Sequence, residues 1–271
     1  MAKYKKKRAR ELQHDKFRDT AGKIFDRVGD RLEGKGRTIL YGLAALILAG
    51  VLVGLYLKWN SRKSDEARRA LGRAIAIAIA PVAAASPVPG TPPPAYSNEQ
   101  EREQNAIAEF EKVAAKYGDP YKTEARYFIG TNLLYIDRDK AINELAEVSK
   151  GSVPEAAALA KFALAQAKDE EGKYDEAAKL YSELAAQNSV VVTTDIANLR
   201  LALVYDKQGK KNEAADLLFN IVEAARKAKD SDGTPLPEST AAREAAEKLQ
   251  KLDADRYAKL TPELPSGNLP F

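Results

Sequence analysis

Carboxylates are the side chains of this sequence best placed for chemistry by type and spacing. Glu170 and Glu171 are adjacent, and Asp137 and Asp139 are two residues apart. In a pocket, such a pair would serve as general acid and general base, one held protonated and the other ionised. On a helix surface the same residues are solvated charges, the simpler reading in a chain with 39 Asp plus Glu among 271 residues. The groups that would have to work beside them are missing. The absence of cysteine removes thiolate nucleophiles, disulfides, iron–sulfur clusters and cysteine zinc sites. The one histidine, His14, lies in a basic N-terminal stretch, so no His-dependent triad or His-rich metal site is available to the body of the chain. No G-x-x-x-x-G-K-[ST], G-x-G-x-x-G or H-E-x-x-H run occurs. The sequence therefore predicts no catalytic residue, no cofactor and no metal, and a protein that acts by contact.

The elements that would position a contact surface begin with an electrostatic asymmetry. Residues 1–37 carry 13 basic and 6 acidic side chains, although the whole chain is nearly balanced at 43 against 39. Within this arm Phe17, Ala21, Ile24, Phe25, Val28 and Leu32 recur at helical spacing, with Lys16, Arg18, Lys23, Arg27 and Arg31 mostly elsewhere on the wheel. Residues 1–37 thus read as a basic amphipathic arm suited to an anionic lipid surface, the plainer alternative being a solvated basic tail. A nucleic-acid partner is not expected, since the arm has no stacking platform.

From Thr38 to Leu57 there are 20 residues without a charge, 11 of them Leu, Ile or Val. In a helix they would reach about 30 Å, the thickness of a bilayer's hydrocarbon core. Tyr41, Tyr56 and Trp59 lie near the ends, where amphipathic rings favour the headgroup layer. Residues 38–57 are expected to form a single transmembrane helix; a cleaved signal peptide would begin earlier, be shorter and end in small residues. The 20 residues before the span and the 20 after it each hold six Lys or Arg, so the further basic run from Lys3 to Arg10 favours a cytoplasmic N-terminus. Gly50 and Gly54 form a G-x-x-x-G pair with Gly42 on about the same face, a place where another membrane helix would pack.

Beyond the span the expected fold class is all-α. Residues 58–80 read as a first repeat helix, with strand as the alternative over the alternating Ile75–Ile79 run. Residues 81–98 read as a proline-rich linker or insertion, six of the 14 residues from Pro81 to Pro94 being proline. In residues 99–230 the sequence repeats itself. Ala106 and Phe110 align with Ala141 and Leu145, then Ala177 and Tyr181, then Ala214 and Leu218, at separations of 35, 36 and 37 residues. Each pair follows a segment with an apolar–small dipeptide: Leu71-Gly72, Ile129-Gly130, Leu164-Ala165 and Leu201-Ala202. Gly172 and Gly209 mark turns within the last two units. Residues 231–271 are expected to give a capping helix over 238–256 and an extended tail from Thr261.

These spacings resemble tetratricopeptide repeats, with Tyr174-Asp-Glu-Ala-Ala-Lys-Leu-Tyr181 the most specific stretch. The span, the Lys-Trp-Asn-Ser run after it, the Ala-rich helix and the repeats together are similar to the bacterial ancillary Sec-translocon subunit and cell-division coordinator family, over roughly residues 38–230. The resemblance implies a bacterial inner-membrane protein whose repeats face the periplasm and bind proteins near the translocon or periplasmic chaperones. The glycine face and the long arm suit another role, a structural accessory subunit of a large respiratory or photosynthetic membrane complex. In tetratricopeptide superhelices the first helix of each repeat lines the concave face, so the candidate protein-binding residues are Tyr127, Thr131 and Tyr135, then Phe162, Gln166 and Glu170, then Leu199, Leu203 and Lys207. Clustered Lys, Arg and Asn for clamping a C-terminal carboxylate are nearly absent from these positions.

Overall fold

Polar caps and turn glycines divide an alanine-rich sequence into short helices. Asn98, Asp137, Thr193 and Ser239 each accept a hydrogen bond from a backbone N–H in the first turn they precede, and Pro154 occupies a first turn whose N–H groups need no partner within the helix. Gly172 and Gly209 take φ of +73° and +76°, and the following N–H groups of Lys173 and Lys210 reach back to Lys168 O and Tyr205 O at 2.9 Å. That pattern closes a helix C-terminus with a residue in the left-handed region, where glycine meets no Cβ penalty.

The computed structural model describes Gly50, Leu52, residues 63–82 and residues 96–262. The chain forms two units, Met1–Asp65 and Glu66–Phe271. In the first, Gly50 and Leu52 are helical and exposed; the basic arm and nearly all of the expected span lie outside the described residues. No helix among the described residues is long and apolar enough to cross a membrane.

Helices run through residues 63–78 (α1), Glu99–Lys116 (α2), Tyr121–Leu133 (α3), Arg138–Val148 (α4), Pro154–Glu170 (α5), Tyr174–Gln187 (α6), Thr194–Lys207 (α7), Lys211–Lys227 (α8), Thr240–Leu252 (α9) and Ala254–Tyr257 (α10). No strand occurs among the described residues, where only two isolated bridges, Val82 to Tyr96 and Lys229 to Pro235, lie outside the helices. The second unit is all-helical and tetratricopeptide-like: α1/α2, α3/α4, α5/α6 and α7/α8 are hairpins in sequence order, and α9 follows as a fifth first-type helix.

The alternating Ile75–Ile79 run is helical through Ala78. Leu71, Ala74, Ile75 and Ala78 recur on one helical face and pack against Ala106, Phe110 and Val113 of α2, so burial of that face overrides the local alternation. The first hairpin closes despite the proline-rich segment between its helices. Arg102 Nη1 of α2 donates to Ala80 O just past α1, and the Val82–Tyr96 bridge brings the segment's ends together.

All eight residues of the repeating alanine–large pairs are buried in the core. Each large one joins its own hairpin to the next. Phe110 stacks on Phe128 of α3 with ring centroids 5.0 Å apart; Leu145 packs with Ala156 and Ala160 of α5; Tyr181 with Ala197, Leu201 and Val204 of α7; Leu218 with Ala242, Ala245 and Leu249 of α9. The small residues admit these contacts unequally. At Gly130 a Cβ would lie 2.8 Å from both Cγ and Cδ2 of Leu145, so only glycine permits that approach of α3 to α4. Gly72 is exposed with nothing near the equivalent position; Ala74, fully buried, makes the close contact in the first hairpin.

The expected cap over 238–256 is two helices, α9 and α10, broken at Asp253, whose side chain caps the second. The chain is then tied down at Thr261. Its N–H and hydroxyl both donate to Glu223 of α8 at 2.9 Å, and its carbonyl accepts from Arg226 Nη1 at 2.7 Å. Residues 263–271 of the expected tail lie outside the described residues.

Two expectations follow. Gly130→Ala is expected to destabilise the unit by about 1–3 kcal/mol through overpacking against Leu145, whereas Gly72→Ala is expected to stabilise it by about 0.5–1 kcal/mol through helix propensity; denaturant unfolding followed by circular dichroism separates them, and equal responses would refute the close contact at Gly130. The hydrogen bond from Lys227, and then those from Thr261, lower the Glu223 pKa to about 2 from an ordinary 4.5. A depressed carboxyl pKa contributes stability above its unfolded value and loses it as pH falls toward the folded one. The tie at Thr261 is therefore expected to hold at neutral pH and release between about pH 4.5 and 2, with an NMR titration of the Glu223 carboxyl as the check; a midpoint near the ordinary value would mean that Thr261 is not held.

Candidate partner-binding face

In a stack of helical hairpins whose first helices touch one another and whose second helices do not, the first helices form the inner layer, because the same angular step covers less distance at smaller radius. Here α3 touches α5 and α7 touches α9, while α2, α4, α6 and α8 make no comparable mutual contacts. The candidate residues divide along this layer by their depth. Leu199 is 2% exposed and sits in the core with Leu218 and Ile221, so its side chain offers no surface. Phe162 meets Tyr181 edge-on at 5.7 Å, and Tyr127 is tilted against Phe128 at 5.1 Å; both are half-buried in packing. Burial pushes the Tyr127 phenol above its usual pKa.

One helical turn further along, the side chains are more open. Thr131 is half-buried and donates its hydroxyl to Phe128 O of its own helix, Leu203 is half-buried, and Gln166 is exposed. Tyr135 lies just past the end of α3 with 75% of its surface exposed, among the most open of the large apolar or aromatic side chains described. Gly50 has open space around it, and Gly42 and Gly54 lie outside the described residues.

The last turns of α5 and α7 carry a charge network. Glu170 Oε2 accepts from Arg138 Nη2 at 2.9 Å, and the same nitrogen donates to Ala167 O at 2.8 Å, while Arg138 Nε reaches Glu171 at 3.2 Å. Lys207 Nζ donates to both oxygens of Asp169 at 2.7 Å and lies 5.9 Å from the centre of the Tyr174 ring. Lys173 and then Arg138 hold Glu171 below the usual carboxylate range. Near the opposite end, burial raises Glu124 of α3, and Glu155 of α5 adds to the shift by repulsion. The carboxylates considered for acid–base work thus divide into ion-pair members at Glu170 and Glu171 and a helix cap at Asp137, which accepts from Lys140 N at 3.1 Å.

Arg138 and Asp169 were not singled out from sequence. Their signal was opposite charge one repeat apart: Arg138 to Glu171 spans 33 residues and Asp169 to Lys207 spans 38. Gln208 and Asp175, also 33 apart, bond at 2.8 Å beside an open polar depression of about 460 Å³ lined by Gly172, Lys173, Tyr174 and Lys210. Among the described residues no group of three or more His, Asp or Glu side chains is placed to hold a metal ion.

No protein-family model matches the chain, and no curated protein matches it. Solved structures similar to it include two crystal structures from Podosopora anserina, assigned to a kinesin light chain with nearly identical TPR-like repeats, one of them a point variant. Their TM-scores are 0.45 and 0.43 at 16% and 17% identity, and each alignment covers 58% of this chain and 80% of the other. The tetratricopeptide-like character of the second unit stands on its own hairpins and their shared core positions.

A double-mutant cycle on Lys207→Ala and Asp169→Ala is expected to give a coupling of about 0.2–1 kcal/mol in unfolding free energy, the range for partly exposed pairs. A null coupling would mean that this link between α5 and α7 does not contribute to holding the inner layer.

Proposed function

We propose that the chain is a membrane-anchored scaffold that holds partner proteins on the first-helix layer of its hairpin stack. One observation carries the reading: along that layer the deeper positions are committed to packing, while Tyr135 and Gln166 stand open on adjacent hairpins beside a rim of paired charges. An exposed aromatic beside an unengaged amide supplies contact area and adaptable hydrogen bonding to a polypeptide. The uncharged stretch from Thr38 to Leu57, which falls almost wholly outside the described residues, supports the anchoring half of the proposal by length and composition. The resemblance to the ancillary Sec-translocon family supports a bacterial inner membrane, with the repeats in the periplasm near the translocon or its chaperones.

Site-specific photo-crosslinking in intact membranes tests this. A photoreactive residue at Tyr135 or Gln166 is expected to capture the same discrete partners, whereas one at Lys179, exposed on the second-type helix α6, is not. Equal capture from all three positions, or none from the first two, would refute the assignment of this face. Extraction of the chain from membranes by alkaline carbonate would refute the anchor.

A further inference from the structure

Nine of the helices meet a neighbour in sequence order on at least one side, but the outer face of α1 has none among the described residues, and its charge is one-sided. Arg68, Arg69 and Arg73 are exposed there and make no ion pair, whereas Arg102, Arg126, Arg138, Arg200, Arg226 and Arg256 all do. From Ala67 to Asn98 the sequence contains no acidic residue. The two acids nearest this face precede the arginines: Asp65 is exposed, and Glu66 is held by Lys116 of α2 at 2.6 Å. Between the arginines and continuing to the end of the helix, Gly72, Ala76 and Ile79 form an exposed small and apolar strip on the same side, Ile79 being 76% open.

The opposite side of α1 is buried against α2 and α3 through Leu71, Ala74 and Ile75, so the arginine face is fixed in orientation by the fold. Arginine guanidinium groups bind phosphate through a planar fork, and single-sign clusters draw in anionic surfaces. Chain length limits where such a surface can be. Arg68 lies 11 residues beyond Leu57, the end of the uncharged stretch, and so within about 40 Å of it even if fully extended.

We infer that the outer face of α1 docks on the anionic phospholipid headgroups of the membrane in which the 38–57 segment sits. The inference rests on the anchored reading above and adds to it: the arginine face would hold the first hairpin against the bilayer, so that the stack's orientation depends on lipid charge. At about fivefold per basic residue near an anionic surface, three arginines favour the docked arrangement by roughly 100-fold. Screening removes most of this advantage as the Debye length falls to a few ångströms in molar salt.

The cysteine-free chain allows a direct test. The full-length protein carrying Ala76→Cys, labelled with an environment-sensitive fluorophore, is reconstituted with vesicles of phosphatidylcholine alone or with one-third phosphatidylglycerol, and the probe's accessibility to acrylamide is read. Shielding is expected only with phosphatidylglycerol, and is expected to be lost in molar salt and in Arg68→Gln/Arg69→Gln/Arg73→Gln, whose circular dichroism should be unchanged since the three side chains contact nothing. Equal accessibility in the two vesicle types, with the chain embedded in both, would overturn the inference. So would the same shielding by soluble polyglutamate without lipid, which would point to an acidic protein instead. A chain that fails to float with vesicles of either type after an alkaline wash would refute the anchor alone; shielding of the probe on mixing with phosphatidylglycerol vesicles would then still decide the arginine face.

Discussion

A large side chain on one hairpin entering a notch left by small residues on its neighbours is the contact on which the stack depends. Phe110, Leu145, Tyr181 and Leu218 each perform it, and each is nearly inaccessible to solvent. Full burial of such a side chain is worth about 1.5–3 kcal/mol, and it becomes available only when the next hairpin is present. No hairpin has enough apolar surface to be stable by itself; stability is shared between neighbours, as in other repeat architectures. The alanines and Gly130 contribute by what they lack, since a larger residue would hold the paired helices apart and deny the large side chains their second wall.

The same constraint explains what remains at the surface. Positions facing the next hairpin must be apolar, which takes Leu199 wholly and Phe162 and Tyr127 in part from the set that a partner would touch. Positions at the helix ends face neither core nor open solvent, and there the chain places Arg138, Asp169, Glu170 and Lys207 in pairs that fix one hairpin's rotation relative to the next. Exposed pairs of this kind add little energy individually. Their value is geometric: they hold the ends of α4, α5 and α7 in a row, with Tyr135 and Gln166 in a defined relation along the layer. A surface of this character recognises shape and hydrogen-bonding pattern, which suits contact between proteins.

The two ends of the stack are finished differently. At the C-terminal end, α9 buries Ala242, Ala245 and Leu249 and turns Arg243, Glu247 and Lys251 outward, opposite charges alternating one turn apart. Tying Thr261 to Glu223 and Arg226 secures the chain beyond it. At the other end α1 presents arginines alone, on the side of the unit nearest in sequence to the uncharged stretch.

Helix type and hairpin order were legible in the sequence because they depend on local properties. Alanine and straight-chain residues favour helix, proline and glycine end it, and the recurrence of alanine–large pairs every 35–37 residues marked core positions that the fold buries without exception. The excess of charge in residues 1–37 and the uncharged run after them are likewise properties of sequence alone. Tertiary structure decided the rest. It determined that Ile75–Ile79 is helical, that Ala74 replaces Gly72 at the close approach, that the first hairpin closes across a proline-rich insertion, and that only some first-helix positions reach the surface. Each of these turns on which residues of distant segments arrive at the same place. A repeat fixes the period of a helix's contacts but leaves open the rotation of each helix about its axis by a fraction of a turn, and that rotation is set only when the neighbouring side chains have been packed.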